Sequence, residues 1–499
     1  MKLVLFLFAI TFLFPNTAKT DFPERSRPPV AAGAYYPSSA KDLNKLVSES
    51  LENAKRRRRF ENFRAPKAII APAESLFLSA QVMGEAYEPL AKIKPFVRRV
   101  VLLGATNPKK YFGTALSDSD FWEIPTGRLA VDKAFNERLK TLSGAEINEK
   151  PFLQDYSLEL QLPYILKTFG KDVKIVPILI GDTNAEQVAD LIDFLWGQTE
   201  TAVILASNLS DGLNGSDAKK ADEKTALKID LKNANALKRK DVSAFLPVSG
   251  FLIFAQNTLM ETRRGTVTTT AEFSGNETDV TGMGAWWFYE TKQDSEKIKK
   301  EREKLIRAHQ ETLLKLAAKA VKYGFQHGRA MRIKESDYPL ELQQNGDIFV
   351  RLYHNGSLRG AQGVYDSSHS LLKNIVQGAF AAAFQDFRYI PLEESELSEV
   401  EISISFLMPK EQIKFEKETD LIASLRPNID GLYLKERSNT GLFLPSVWEV
   451  YPDPKDFLSH LKQKAGLPAD YTSSTLKVSR FEVLDINSGD FETPEDFWK

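Results

Sequence analysis

Four short apolar runs, at 68–71, 99–104, 174–180 and 202–206, mark the first half of the chain, and each is closed by Gly, Pro or Ser. Runs this short and unbroken predict strands buried on both faces. Between them, 157–169 and 185–195 repeat apolar residues at helical spacing, so the stretch 25–292 predicts a three-layer α/β domain. In that architecture functional groups gather at the carboxyl ends of the strands. The texture changes at 293–308, which is dense in Lys and Glu and predicts an exposed linker helix running into 313–323. Beyond it, 348–353 and 399–407 alternate as half-exposed strands do, and 371–383 predicts a helix rich in small residues. Residues 309–499 therefore read as a second, α+β domain.

The N-terminus follows a different pattern. Lys2 precedes a nearly unbroken apolar stretch from Leu3 to Phe14, then Pro15 and the small-residue exit Asn16-Thr17-Ala18. That is the layout of a cleaved signal peptide over 1–18, and it is too short to span a bilayer. It implies a periplasmic or secreted protein with no stable membrane anchor. The alternative is a buried N-terminal strand.

Composition removes several chemistries. The chain has 66 Lys+Arg against 67 Asp+Glu, a net charge of −1, so no overall field draws in nucleic acid. The run Lys55-Arg56-Arg57-Arg58-Arg59 reads as a solvated helix end. There is no cysteine, which excludes disulfides, thiolate nucleophiles and Cys-ligated metals. The five histidines are His309, His327, His354, His369 and His460, so the first domain contains no imidazole.

Within 27–290, Ala32-Gly33-Ala34-Tyr35-Tyr36-Pro37, Ala68-Ile69-Ile70-Ala71-Pro72, Val100-Val101-Leu102-Leu103-Gly104, Ser157-Leu158-Glu159-Leu160-Gln161-Leu162-Pro163 and the run 174–182 follow one another in the order of a known family. Asp222, Thr225 and Ile229 continue the match. This stretch resembles the Memo family, known in bacteria as AmmeMemoRadiSam system protein B. Residues 310–485 resemble AmmeMemoRadiSam system protein A, the AMMECR-type domain. The motifs are Leu358-Arg359-Gly360-Ala361-Gln362-Gly363, 386–392, 429–434, 441–445 and 464–468. The resemblance implies a Memo-like (extradiol-dioxygenase-like) fold followed by an AMMECR-like α+β domain. It also implies work beside a radical S-adenosylmethionine protein.

The family's histidines are missing from that frame. Where the family places His after the first strand, this chain has Ala73 and then Glu74. The family's PSH becomes Ala105-Thr106-Asn107, its EHS becomes Asp155-Tyr156-Ser157, and its SSDLSH ends here in Asp211. The leading expectation is a non-catalytic binding or scaffold protein holding neither metal nor cofactor. A rival reading makes Glu74, Asn107, Asp155 and Asp211 hard oxygen ligands of a remodelled metal-dependent enzyme, dioxygenase-like or hydrolase-like. A third keeps Asp155 and Asp211 as a carboxylate pair for acid–base work.

In the second domain Ala361 stands where the family has its cysteine, so thiolate catalysis is excluded. What remains is Arg359 between Leu358 and Gly360, followed by Gly363. These residues predict either an anchor for a small anionic ligand or a tight hairpin whose Arg forms a structural ion pair. His354 and His369 read as surface or packing residues, and Asp386, Arg388 and Asp430 as caps and turn residues.

Overall fold

The computed structural model of the chain describes residues 24–57, 65–106, 111–141, 144–197, 200–290, 295–365, 369–436, 439–473 and 475–499. The expected leader at 1–18, Arg58 and Arg59 of the basic run, and Asn107 lie outside the described residues. Among the described residues no helix is long and apolar enough to cross a membrane.

The first half is built on an eight-stranded sheet. Its order is Glu261–Thr269, Gly282–Tyr289, Ala68–Ala71, Thr201–Ala206, Arg99–Ala105, Lys174–Ile180, Thr114–Leu116, Ala145–Ile147. The four apolar runs form its parallel centre. Alternate residues of these strands enter different cores. Ile69 and Ala71 pack with Leu43, Met83 and Ile165 on one face, and Ala68 and Ile70 with Val188, Ile192 and Phe251 on the other. Strands buried on both faces cannot show a polar alternation, which is why they read as continuous apolar runs.

The helix expected over 157–169 begins later. A 3-10 turn occupies Glu159–Gln161 and the α-helix runs Leu162–Phe169. Pro163 has no N–H to give an interior helical bond and is accommodated only in the first turn. The delay frees residues 153–158 to form a loop against the sheet. A Cβ on Gly104, in the strand Arg99–Ala105, would lie 3.2 Å from the Ser157 hydroxyl and 2.9 Å from Leu158. Gly104 thus admits that loop to the strand's carboxyl end.

The charged segment forms the helix Ser295–Ala308, followed by Gln310–His327. It is less exposed than its composition suggests. Ile306 is buried in the core of the second domain, Lys299 pairs with Glu482 at 2.8 Å, and Arg302 Nη2 donates to the Asn345 carbonyl at 3.3 Å. One apolar face and two basic side chains with partners suffice to lay the helix against the second domain.

That domain has two four-stranded antiparallel sheets. The first, in the order Ser357–Val364, Ile348–His354, Val400–Leu407, Val483–Asn487, packs against the helices Gln310–His327 and Leu371–Phe384. Its opening hairpin turns at Asn355 and Gly356, both at positive φ, the two-residue turn that matches strand twist. The second sheet, Glu411–Ile413, Lys477–Phe481, Gly431–Glu436, Asn439–Phe443, packs against the helix Pro454–Lys464. Lys435 and Lys477 of this sheet reach Asp190 and Asp193 on the helix Ala185–Leu195.

Candidate functional site

The carboxyl ends of the parallel strands carry a connected set of polar groups. After the strand Ala68–Ala71 the chain runs Pro72-Ala73-Glu74, and after Thr201–Ala206 it runs Ser207-Asn208. Ser207 N–H donates to the Ala71 carbonyl at 2.9 Å, continuing the ladder past the strand ends. Asn208 Oδ1 then accepts the Ala73 N–H at 2.8 Å, and its Nδ2 reaches Glu74 Oε2 at 3.5 Å. The other Glu74 oxygen accepts the Ser75 N–H at 2.8 Å.

The 153–158 loop closes one side. Asp155 is 7% exposed, and its carboxylate accepts the Ser157 hydroxyl at 3.0 Å and the Leu158 N–H at 3.2 Å. Burial raises its carboxyl to about 6, against an ordinary value of 3.8. Next to it the Tyr156 ring stacks on Tyr35 with centroids 4.1 Å apart and planes 22° apart. The Tyr35 carbonyl accepts from Leu76 N–H and Ser75 Oγ, which pins the 31–37 turn beside Glu74. Burial, the bond with Tyr35 and the charges of Glu74 and Asp155 all hold the Tyr156 phenol protonated. Tyr156 thus neighbours Tyr35, Glu74 and Asp155, with Asp155 buried and the other three half-buried.

Beneath it lies a buried ion pair. Glu159 Oε1 accepts from Ala31 N–H at 2.8 Å and from the Tyr36 hydroxyl at 2.6 Å. Its Oε2 accepts from Val30 N–H at 3.0 Å and from Arg27 Nη1 at 2.6 Å. Arg27 also donates to the Phe152 and Asp155 carbonyls and lies 4.2 Å above the Trp122 ring. The pair ties the start of the domain to the loop that carries Asp155.

Asp211 has a different setting. It is exposed and accepts from the Thr281 hydroxyl at 3.1 Å, at the entry to the strand Gly282–Tyr289. Its loop is held by Asp222, whose Oδ1 accepts the Ser210 N–H at 2.9 Å. Asp155 and Asp211 thus have separate partners, Ser157 and Leu158 for the first and Thr281 for the second. Among the described residues no group of three or more His, Cys, Asp or Glu stands close enough to hold a metal ion. The set Glu74, Asp155 and Asp211 is not a ligand sphere.

In the second domain Arg359 is fully engaged. Its Nε and Nη2 form a two-point pair with Glu396 at 2.8 and 2.9 Å, and Nη1 and Nη2 also donate to the Ile390 and Pro391 carbonyls. Arg359, the candidate anchor for a small anionic ligand, thus ties the hairpin to the loop 390–396. Gly360 serves packing, since a Cβ there would lie 2.0 Å from the Ala382 carbonyl oxygen, and one on Gly363 would lie 2.3 Å from the Tyr365 hydroxyl. Ala361 N–H donates to Asp386 at 2.9 Å, and the Arg388 fork holds that carboxyl down at about 2. We predict that Arg359→Ala destabilises this domain by about 2 kcal/mol, because a mostly buried Glu396 loses its partner. Calorimetric unfolding of both proteins checks this; an unchanged transition would free Arg359 for another role.

Tyr35, Tyr156 and Asn208 were not among the site residues expected from sequence. Tyr156 had a usable signal, standing where the resemblance places an imidazole.

Residues 27–250 match the Memo-like protein family, and residues 314–486 match AMMECR1. The chain is thus a fusion of a Memo-like domain and an AMMECR1 domain. A curated protein of Methanothermobacter thermautotrophicus is 31% identical over 181 residues, covering 36% of this chain and 94% of its own length. A MEMO1 family protein of Aquifex aeolicus is 28% identical over 207 residues, covering 40% of this chain and 72% of its own. The crystal structure of an uncharacterized protein from Pyrococcus horikoshii aligns with 27% identity over 37% of this chain and 92% of that one, at a TM-score of 0.32.

Proposed function

We propose that this fusion is an exported, non-catalytic binding or scaffold protein of the envelope. The observation that carries the reading is what stands at the strand ends. The three described positions aligned with family histidines hold Ala73, Tyr156 and Asp211, and the carboxylates nearest them do not gather into a ligand sphere. An iron(II) site needs neutral imidazoles together with open positions, and this donor set does not fit one. No metal-dependent step is therefore derived. The second domain supports the same reading, since Ala361 supplies no nucleophile and Arg359 is already paired.

The hydrophobic segment 3–14 supports export. Export in turn separates this chain from the radical S-adenosylmethionine partner that the family context implies. The cleft at the strand ends persists with Glu74 half-buried, so binding is the activity left to it.

Intact-mass and elemental analysis of untagged protein from its native host tests the proposal. The expected result is an envelope-fraction protein lacking residues 1–18 and holding less than about a tenth of an equivalent of iron, copper or zinc. A full equivalent of tightly held iron, or a cytosolic chain with 1–18 attached, overturns it.

A further inference from the structure

We infer that the cleft bounded by Glu74, Asp155 and the stacked Tyr35–Tyr156 pair is a recognition site for an organic cation, an alkyl guanidinium or ammonium group. The inference rests on the binding reading above and names the ligand class of that site.

Charge comes first. Two carboxylates border the cleft, and Arg27, the cation that touches the Asp155 loop, is spent on Glu159 at 2.6 Å, so that pair cancels itself. Glu74 has no Lys or Arg partner among the described residues. Among the described residues its Oε2 has one long contact, 3.5 Å from Asn208 Nδ2. An incoming N–H donor on a cation would give this oxygen the charge-assisted bond it lacks.

The walls decide the kind of cation. A small hard ion needs a converging oxygen shell, and these groups do not provide one. Two tyrosine rings stacked at 4.1 Å offer instead a broad, electron-rich surface that favours weakly hydrated, polarisable cations. A planar guanidinium suits such a surface best, because it can lie on a ring while its edge donates to a carboxylate. The positions of the groups are fixed rather than adaptable. Tyr35 is held through its carbonyl by Ser75 and Leu76, Glu74 through Asn208 and Ser75, and the 155–158 loop through Arg27. Such preorganisation reduces the ordering cost of binding.

Acidity supports the assignment. Asp155 carries its charge only above about pH 6, and Glu74 is the more exposed carboxyl group of the two. Other charged groups facing the cleft from packed elements are Arg27 and Glu159, which are paired with each other.

The test is calorimetric titration of the full chain with agmatine, with tetramethylammonium and with neutral butylurea as the uncharged control. At about pH 8 agmatine is expected to bind saturably, and butylurea not at all. Glu74→Gln should weaken agmatine about tenfold or more, the loss of one charge-assisted contact. Tyr156→Leu should weaken agmatine and tetramethylammonium alike, whereas Tyr156→Phe, which keeps the ring, should retain most of the binding. Lowering the pH to about 5 should weaken both cations as Asp155 takes up a proton. Thermal midpoints of the variants establish that each remains folded, and the half-exposed Glu74 gives the variant least able to disturb packing. Equal binding of butylurea, undiminished binding by Glu74→Gln, or no saturation up to about 10 mM overturns the assignment. Those results leave the non-catalytic reading standing, because that reading falls only if the same preparation carries stoichiometric metal or an uncleaved leader.

Discussion

Glu159→Gln will unfold the Memo-like domain at a temperature about 10 °C below that of the unaltered protein, a loss of about 3–5 kcal/mol. The side chain of Glu159 is fully buried and that of Arg27 is 3% exposed, so neither charge can fall back on water. All the acceptor capacity of the carboxylate is in use: two backbone N–H groups, the Tyr36 hydroxyl and the Arg27 guanidinium. A glutamine amide keeps one oxygen and turns an NH2 toward groups that are themselves donors. The Arg27 cation is then buried without a counter-charge, which is the costly half of the change. Removing both partners should be milder, so Arg27→Met with Glu159→Gln is expected to recover part of the loss. Differential scanning calorimetry of the single and double variants decides the matter. A single variant within about 1 kcal/mol of the starting protein would show that water reaches the pair and screens it.

The consequence reaches beyond stability. Arg27 also donates to the Asp155 carbonyl at 2.6 Å, so the pair sets the loop that places Asp155 and Tyr156 in the cleft. A domain that keeps such a tie under a site without imidazoles has its cleft geometry built into its fold.

How much of this was legible in the sequence depends on the range of the interaction. The central strands were readable because burial on both faces leaves a local mark, an apolar run closed by Gly, Pro or Ser. The two-residue turn at Asn355-Gly356 is local in the same way. The short strands Thr114–Leu116 and Ala145–Ile147 carry too few residues to show a period, and they exist because the sheet offers them an edge. Glu159 did leave a trace, an acid between Leu158 and Leu160 in a buried motif, but nothing local names Arg27 as its partner 132 residues away. The four strand-end positions could each be placed on a loop. Whether they met could not be known, since the contacts that place each loop come from residues far away in the chain. For Arg359 both a ligand anchor and an ion pair were open, and Glu396 at 37 residues' distance settles the use of its fork.

The stability of Asp155→Asn, measured against the unaltered protein, will rise with pH between about 4 and about 6 and then level off. Burial raises the Asp155 carboxyl to about 6, whereas in the unfolded chain it returns to its ordinary value of 3.8. Between those values the native state holds a proton that the unfolded state has released, so stability falls as pH rises through the window. Below both values the group is neutral in either state and contributes no pH dependence. Above the window the ionised carboxylate costs the native state about 3 kcal/mol, the free energy equivalent of a shift from 3.8 to about 6. Asparagine carries no proton to lose and keeps one oxygen for the Leu158 N–H and the Ser157 hydroxyl. Other titrating groups are shared by both proteins and cancel in the difference. Thermal unfolding of the pair at about pH 4 and about pH 8 should show the gap shifting in favour of Asp155→Asn by about 6–12 °C. A gap that stays level across that range would mean that Asp155 ionises at its ordinary value, with solvent reaching it through the cleft. If the gap opens as expected, the ionised carboxylate beside Tyr156 is held at a cost to the fold, and an arriving cation offsets that cost directly.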